Sequence, residues 1–254
     1  MDKRVQRERD FHELRFQDGV GARPQEIFYL SINSAKTWLN HKISNAASLG
    51  GKGLEFGCST GDFLSSLLNK YSFTCYGIDI SNNAVLAAKE SISKIHPNFP
   101  VDDHLFVMDA NNLEFKSEFF DFCFGQGVLH HLDFPKCVEE VHRVLKPSGL
   151  MIFMEPLGTN PIINLYRILT PNDRSVDEYP FTSKHLNIIN QYFELHDIQY
   201  FGFFTLPGFI FSFNSTLYKY YMFLAERMDK LFFKIPGMWR FAWVVVFQGV
   251  RKDV

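Results

Sequence analysis

The sequence predicts an α/β fold in which seven strands form a mostly parallel sheet with helices on both faces. Three observations carry that expectation. Short, nearly continuous apolar runs alternate with helical stretches between about residues 50 and 155, as strands covered on both faces and joined by crossover helices must do. Several runs end in a glycine or an acid (Gly57, Asp79, Asp109, Gly125), which gathers polar groups at one edge of the sheet. With 254 residues, 46% hydrophobic and 21% charged, the chain can bury one large core.

Residues 1–50 read as an N-terminal helical lid. Residues 1–19 are dense in charge with Phe11, Leu14 and Phe16 near one side, and Ile27, Leu30, Ala35, Trp38 and Leu39 space a second helix over 27–39. A Ser/Gly segment then runs to Lys52. Residues 51–205 form the expected core: strand 53–57, helix 61–70, strand 73–79 and a helix from Asn82 to Ile95 with Ser81 as N-cap. Pro97 and Pro100 break the chain before strand 104–108. Strand 119–124 ends at Gly125-Gln126-Gly127, helix 135–145 follows, and a turn at Lys146–Gly149 introduces strand 150–155. A long irregular connection (156–180, with a short helix at 162–169), a helix at 183–192 and a strand at 193–203 complete this part. Residues 206–239 read as an apolar insertion or cap, and residues 240–254 hold the last strand (241–250), which pairs antiparallel with 193–203.

The formal charge of −2 gives no electrostatic basis for a nucleic-acid partner. Cys58, Cys75, Cys123 and Cys137 have no CxxC or metal-ligand spacing, so buried free thiols, no metal and a reducing, cytoplasmic setting are expected. The N-terminal residues show no apolar run of a secretory signal. The longest uncharged stretch, 198–216, is broken by Pro207, Gly208 and polar residues and is a poor membrane span.

The chain is organised around Leu54-Glu55-Phe56-Gly57-Cys58-Ser59-Thr60-Gly61-Asp62-Phe63: a strand, a turn of small residues and a helix start. Such a turn presents backbone N–H groups and a positive dipole end, and Asp79 follows at the end of the next strand, where an acid grips ribose hydroxyls. A nicotinamide site lacks its G-x-G-x-x-G here. Gly57-Cys58-Ser59-Thr60-Gly61 does match the G-x-S-x-G elbow of α/β-hydrolases, with Ser59 as nucleophile. Against that reading, the turn follows the first clear strand of the sheet, and no oxyanion loop precedes it.

Several motifs, in order and at normal spacing, resemble class I S-adenosylmethionine-dependent methyltransferases of the type 11, small-molecule- or lipid-modifying kind. Glu55–Gly61 is similar to that family's first motif, and Tyr76-Gly77-Ile78-Asp79-Ile80-Ser81 to its ribose-binding strand end. Met108-Asp109-Ala110 is similar to its adenine-side turn, Phe120-Asp121-Phe122 through Val128-Leu129-His130-His131-Leu132 to its fourth motif, and His142–Leu150 to the helix-to-strand turn that follows. The resemblance implies a Rossmann-like fold and S-adenosyl-L-methionine as cofactor. Glu55 is then expected at the methionine ammonium, with the turn amides of Gly57, Cys58, Ser59 and Gly61 facing the ligand. Asp79 and Ile80 are expected at the ribose, Asp109 and Ala110 at the adenine, and Gln126 at the methionine end. Ser59 stands where the family has glycine; a positive φ there costs of order 1 kcal/mol. His131, then His130, are the candidates for a general base, which a hydroxyl or acidic C–H acceptor requires. A non-catalytic member that binds the cofactor only structurally is the remaining alternative.

Arg167, Arg174, Asp177 and Glu178 either contact a polar acceptor or tie the 156–180 loop together. In 206–239 the density of Phe, Tyr, Leu and Met exceeds what one core-facing stripe needs, and Lys219, Arg227, Lys230, Lys234 and Arg240 are interspersed. Such a segment caps an apolar pocket, lies at a membrane interface, or packs on the sheet or a second subunit. The expected partner is a hydrophobic or lipid-linked small molecule, with peripheral contact at a membrane surface.

Overall fold

The computed structural model describes residues 3–17, 26–171 and 175–253. Its centre is a sheet in the order β3-β2-β1-β4-β5-β7-β6. The strands are β1 (Lys52–Phe56), β2 (Thr74–Asp79), β3 (Leu105–Val107), β4 (Phe120–Gln126), β5 (Leu145–Pro156), β6 (Phe193–Phe201) and β7 (Val244–Arg251). β1 pairs in parallel with β2 and β4, β2 with β3, and β4 with β5; β7 runs antiparallel between β5 and β6. The expected sheet, including its antiparallel last strand, is the one observed.

The helices are α1 (Lys3–Arg15), α2 (Asn33–Ser48), α3 (Asp62–Leu68), α4 (Asn82–Ile95), the single turn α5 (Val101–His104), α6 (Phe134–Val144), α7 (Pro161–Leu169), α8 (Ser183–Tyr192) and α9 (Ser215–Phe232). Alternation along β4 from Phe122 onward splits the core. Cys123 faces a layer with α6 and α8, while Phe122 and Phe124 face a second layer that includes Leu39 and Ile43 of α2 and Val85, Ala88 and Ile92 of α4; Phe120, before the register shift at Phe122, packs with the first layer. Each fully buried phenylalanine contributes roughly 1.5–3 kcal/mol of transfer free energy. All four cysteines are buried free thiols, as expected.

Some boundaries differ from the sequence reading. The helix expected over 27–39 is a 3-10 segment (Glu26–Ile32) followed by α2, which runs through the supposed Ser/Gly loop as far as Ser48 because Ala46 and Ala47 are buried. The turn at 146–149 lies within β5 as an irregularity: Phe120 aligns with Leu145 and Phe122 with Leu150, and Ser148 has φ +61°. The last strand starts at Val244, since Met238–Phe241 is a 3-10 turn.

The Gly57–Gly61 turn is shaped by glycine. Gly57 has φ +69° and Gly61 φ +80°, and a Cβ on Gly61 would meet Ile92 Cδ1 at 2.8 Å. α3 and α4 therefore approach closely at the point where the chain leaves β1.

Candidate cofactor and acceptor site

At the carboxyl ends of β1, β2 and β4, and beneath α1, lies a cavity of about 430 Å³. Its floor holds Gly57, Ser59, Thr60, Asp79 and Ile80; Met108, Asp109 and Ala110 form one side, and Gln126, Gly127, Val128 and His131 the other. Arg4, Val5, Glu8, His12 and Arg15 of α1 roof it over. Elements far apart in sequence thus meet at the edge where open α/β sheets bind ligands.

Asp79 is buried, and its two oxygens accept backbone N–H bonds from Ser81 (3.0 Å) and Ser59 (3.0 Å). Each oxygen keeps a second lone pair for a ligand hydroxyl. Burial pushes this carboxyl above its ordinary range, and the bonds from Ser81 and Ser59 and the charge of His12 oppose that. Ser59 does sit in the left-handed region, with φ +50°, and its N–H bond to Asp79 helps hold it there. Asp109 Oδ1 accepts from the backbone N–H (2.9 Å) and side-chain amide (2.8 Å) of Asn111, which fixes the turn after β3.

The turn amides are a correction. Cys58 N–H bonds Ile78 O, Ser59 N–H bonds Asp79, and Gly61 N–H bonds Cys58 O, so three of the amides expected to face a ligand hold the turn itself. Cys58, Gly61 and Glu55 are not among the residues lining the cavity. Glu55 is buried, and its Oε2 has no hydrogen-bond partner among the described residues. Burial, then Asp79 and Asp62, push its carboxyl well up. An uncompensated buried carboxylate is costly, and a ligand ammonium is a group that would satisfy it. With the lone pairs left on Asp79, this is the fit that S-adenosylmethionine requires.

The two histidines have different surroundings. His130 is 8% exposed, and its Nδ1 lies 2.7 Å from Glu155 Oε2. Glu155 Oε1 also accepts from Val128 N–H (3.1 Å) and Leu129 N–H (2.9 Å), so this buried acid pins the Leu129–His131 turn to the end of β5. Burial pushes Glu155 up to about 7, against those bonds. His130 therefore belongs to the scaffold and does not line the cavity. His131 does line it, with Nδ1 3.2 Å from Glu8 Oε2. Burial and the neighbouring His130 push His131 down to about 4, with Glu8 opposing, so its ring is neutral at pH 7.

Ser59 lines the cavity, but among the described residues no hydrogen bond joins its hydroxyl to a histidine, the contact a serine nucleophile needs. Of the loop residues, Arg167 donates to Leu157 O and Asn164 Oδ1, and Asp177 receives a two-pronged bond from Arg7 (2.7 and 2.7 Å). Arg174 lies outside the described residues. Sequence reasoning missed Glu8 and His12, whose four-residue spacing on a charged helix was the available signal.

Residues 54–153 match the family model described as a methyltransferase domain. Solved structures with the same fold include magnesium protoporphyrin IX methyltransferase from Synechocystis with bound S-adenosylhomocysteine (TM-score 0.63, 14% identity, 98% of this chain and 100% of that one). Geranyl diphosphate C-methyltransferase from Streptomyces coelicolor is another (TM-score 0.62, 12% identity, 86% and 79%). Residues 54–153 thus carry a methyltransferase domain, and the chain shares its fold with these methyltransferases. Among curated relatives, it is 29% identical over 175 residues to 2-phytyl-1,4-naphtoquinone methyltransferase of Nostoc punctiforme (63% of this chain, 74% of that one). It is also 30% identical over 131 residues to demethylmenaquinone methyltransferase of Staphylococcus haemolyticus, a match that spans 50% of this chain and about half, 52%, of that protein.

Proposed function

We propose that the chain transfers a methyl group from S-adenosylmethionine to an apolar, quinone-like acceptor taken up at a membrane surface. The cavity beneath α1 carries the cofactor half of this reading. Asp79 receives the ribose hydroxyls, Asp109 and Ala110 flank the adenine, and Gln126 lines the methionine end, with the buried Glu55 outside the lining as the charge that a ligand ammonium would balance. The cofactor supplies an electrophilic methyl group on a sulfonium. The protein's part is to hold an acceptor in line with it, exclude water, and receive any proton the acceptor loses. His131, neutral and on the cavity wall, is the group placed to take that proton.

The acceptor half rests on α9 and its flanks. Phe213, Leu217, Tyr220, Leu224, Met228, Leu231 and Ile235 recur at three- and four-residue steps, and all are exposed. They form an apolar stripe about 120° round the helix from the buried Met222 and Ala225. Lys219, Arg227, Lys230 and Lys234 are exposed along one border of the stripe. Phe28 bridges Tyr166 of α7 and Phe209 (ring centroids 5.8 and 4.4 Å), and α7 carries further exposed apolar residues in Ile162, Leu165, Ile168 and Leu169. An apolar face with a basic border suits the interface of an anionic bilayer. No helix of the described residues is long and apolar enough to cross a membrane.

The test is transfer of labelled methyl from S-adenosylmethionine to reduced naphthoquinones, bearing or lacking an isoprenoid tail, presented in anionic vesicles. Transfer that depends on the tail and on the vesicles supports the reading. Transfer only to water-soluble acceptors, with no protein sedimenting with the vesicles, overturns the membrane half.

A further inference from the structure

α1 is a charged helix, yet one of its residues is buried, and that residue is a carboxylate: Glu8, 5% exposed. A buried acid is costly unless it is paired. Glu8 Oε1 accepts from the Ser175 hydroxyl, and Oε2 lies 3.2 Å from His131 Nδ1 and 3.6 Å from His12 Nε2. The helix is held where this contact forms. Arg7 grips Asp177 with two bonds, and Arg4 donates to Leu132 O at 2.6 Å, one residue beyond His131. Glu13, one turn further along, accepts from the Ser81 hydroxyl and the N–H groups of Asn82 and Asn83 at the start of α4.

We infer that Glu8 is a positioning residue for His131: it holds the imidazole with its proton on Nδ1 and leaves Nε2 as the proton acceptor at the cavity. The inference rests on the methyltransferase reading, with His131 as its base. His131 Nδ1 and Glu8 Oε2 face each other at 3.2 Å as a close ionic contact, short of hydrogen-bond geometry, and neither atom has another hydrogen-bond partner among the described residues; the ring lines the cavity. A carboxylate at one imidazole nitrogen fixes which nitrogen carries the proton and stabilises the cation formed once the ring accepts another. In the step itself, the acceptor's O–H or C–H proton would pass to His131 Nε2, the freed electron pair would form the new bond to the methyl carbon, and the S–CH3 bond would break with its pair left on sulfur, giving the neutral thioether S-adenosylhomocysteine. The other titratable groups around the ring are His130 (centroid distance 4.1 Å), His12 (5.3 Å) and Glu178, in a cluster with His130. Because Glu8 comes from α1, the base is completed only when that helix sits over the cavity. Proton transfer is thereby tied to a covered, water-poor site.

The test compares wild type with Glu8→Ala, Glu8→Gln and His131→Ala in three measurements. These are S-adenosylhomocysteine affinity, the single-turnover rate of methyl transfer, and the His131 tautomer from ring nitrogen shifts. Wild type should show the Nδ1–H tautomer. Glu8→Ala should shift it toward Nε2–H and slow transfer by about 10²-fold, the scale of a misplaced general base, with cofactor affinity within about threefold. Glu8→Gln, which keeps an acceptor for Nδ1–H but loses the charge, should fall between, and it serves if the alanine variant folds poorly. If His131→Ala is inactive while both Glu8 variants transfer at the wild-type rate with an unchanged tautomer, the inference is wrong and the base assignment stands. If His131→Ala is fully active, the base assignment fails and takes the inference with it. The ligand atoms of Glu8, His12 and His131 also lie within 4.8 Å of one another. A rate abolished by chelation and restored by zinc would therefore overturn the proton role in favour of a cation.

Discussion

α1 and α9 are both helices appended to the sheet, and each is tied down by an acid that accepts a row of N–H groups. Glu13 of α1 caps the start of α4. Asp229 of α9 accepts from the N–H groups of Gly202 (3.2 Å), Phe203 (3.3 Å) and Phe204 (2.7 Å) and from the Thr205 hydroxyl (3.1 Å). Beyond that shared device they differ. α1 is charged and turns its functional residues inward over the cavity; α9 is apolar and turns a stripe of Leu, Met, Tyr and Phe outward. A polar anchor thus serves two ends: it lets a charged helix cover a charged cofactor, and it holds an apolar helix away from the core, where its side chains face outward.

The largest effect is expected from removing the anchor of α9. Asp229→Ala leaves three backbone N–H groups, one buried and two half-buried, without this acceptor, at about 1–3 kcal/mol each, the half-buried two at the low end. Urea denaturation should show a loss of at least 3 kcal/mol, with cofactor affinity unchanged at temperatures where the fold persists. An equal loss of cofactor binding would mean that the two ends are coupled.

Next is the outward stripe. Leu224→Glu with Leu231→Glu places charge at two exposed positions (43% and 67% exposed) and should leave stability within about 0.5 kcal/mol. Co-sedimentation with anionic vesicles should fall by about tenfold or more. Unchanged sedimentation would assign the stripe to a protein partner.

Removing the charge of Glu13 should have a smaller effect. Glu13→Gln weakens a charged cap at the start of α4, worth about 1 kcal/mol, and should speed release of S-adenosylhomocysteine several-fold in stopped flow. An unchanged release rate would mean that α1 does not need this contact to stay closed.

The smallest effect is that of pH near neutrality. With His131 pushed down to about 4, the base is already unprotonated at pH 6, so kcat/KM should vary less than about twofold between pH 6 and 8 and fall below about pH 5 as the ring protonates. A rate that climbs through pH 6.5 would place the base at an ordinary histidine value and contradict the burial of this one.

What was legible in the sequence follows from the range of the interactions involved. β1, β2 and β4, the Gly57–Gly61 turn, and Asp79 and Asp109 at strand ends are specified by local pattern, and their positions in the cavity followed from strand order alone. The Ser81 cap was readable for the same reason; its hydroxyl accepts from Ala84 N–H. Glu8 was not, because its burial depends on the turn after β4 and on the loop at Ser175. Sequence ranked His131 ahead of His130 but gave no reason for their different surroundings. The two rings lie side by side, 4.1 Å between centroids, and Glu155, at the end of a strand that is a neighbour in space, decides that His130 is the one held inside. Asp229 was hidden by its greasy surroundings, although its spacing from Met222 and Ala225 marks the inward stripe of α9.

The central claim is that the cavity beneath α1 takes S-adenosylmethionine with Asp79 at its floor. The direct measurement is calorimetry of S-adenosylhomocysteine with wild type and Asp79→Ala, each checked for fold by circular dichroism. The account predicts micromolar binding to wild type and at least a hundredfold loss in a folded Asp79→Ala, since two hydrogen bonds to a charged acceptor contribute about 1.5–3 kcal/mol each. Equal affinities in the two proteins would contradict it.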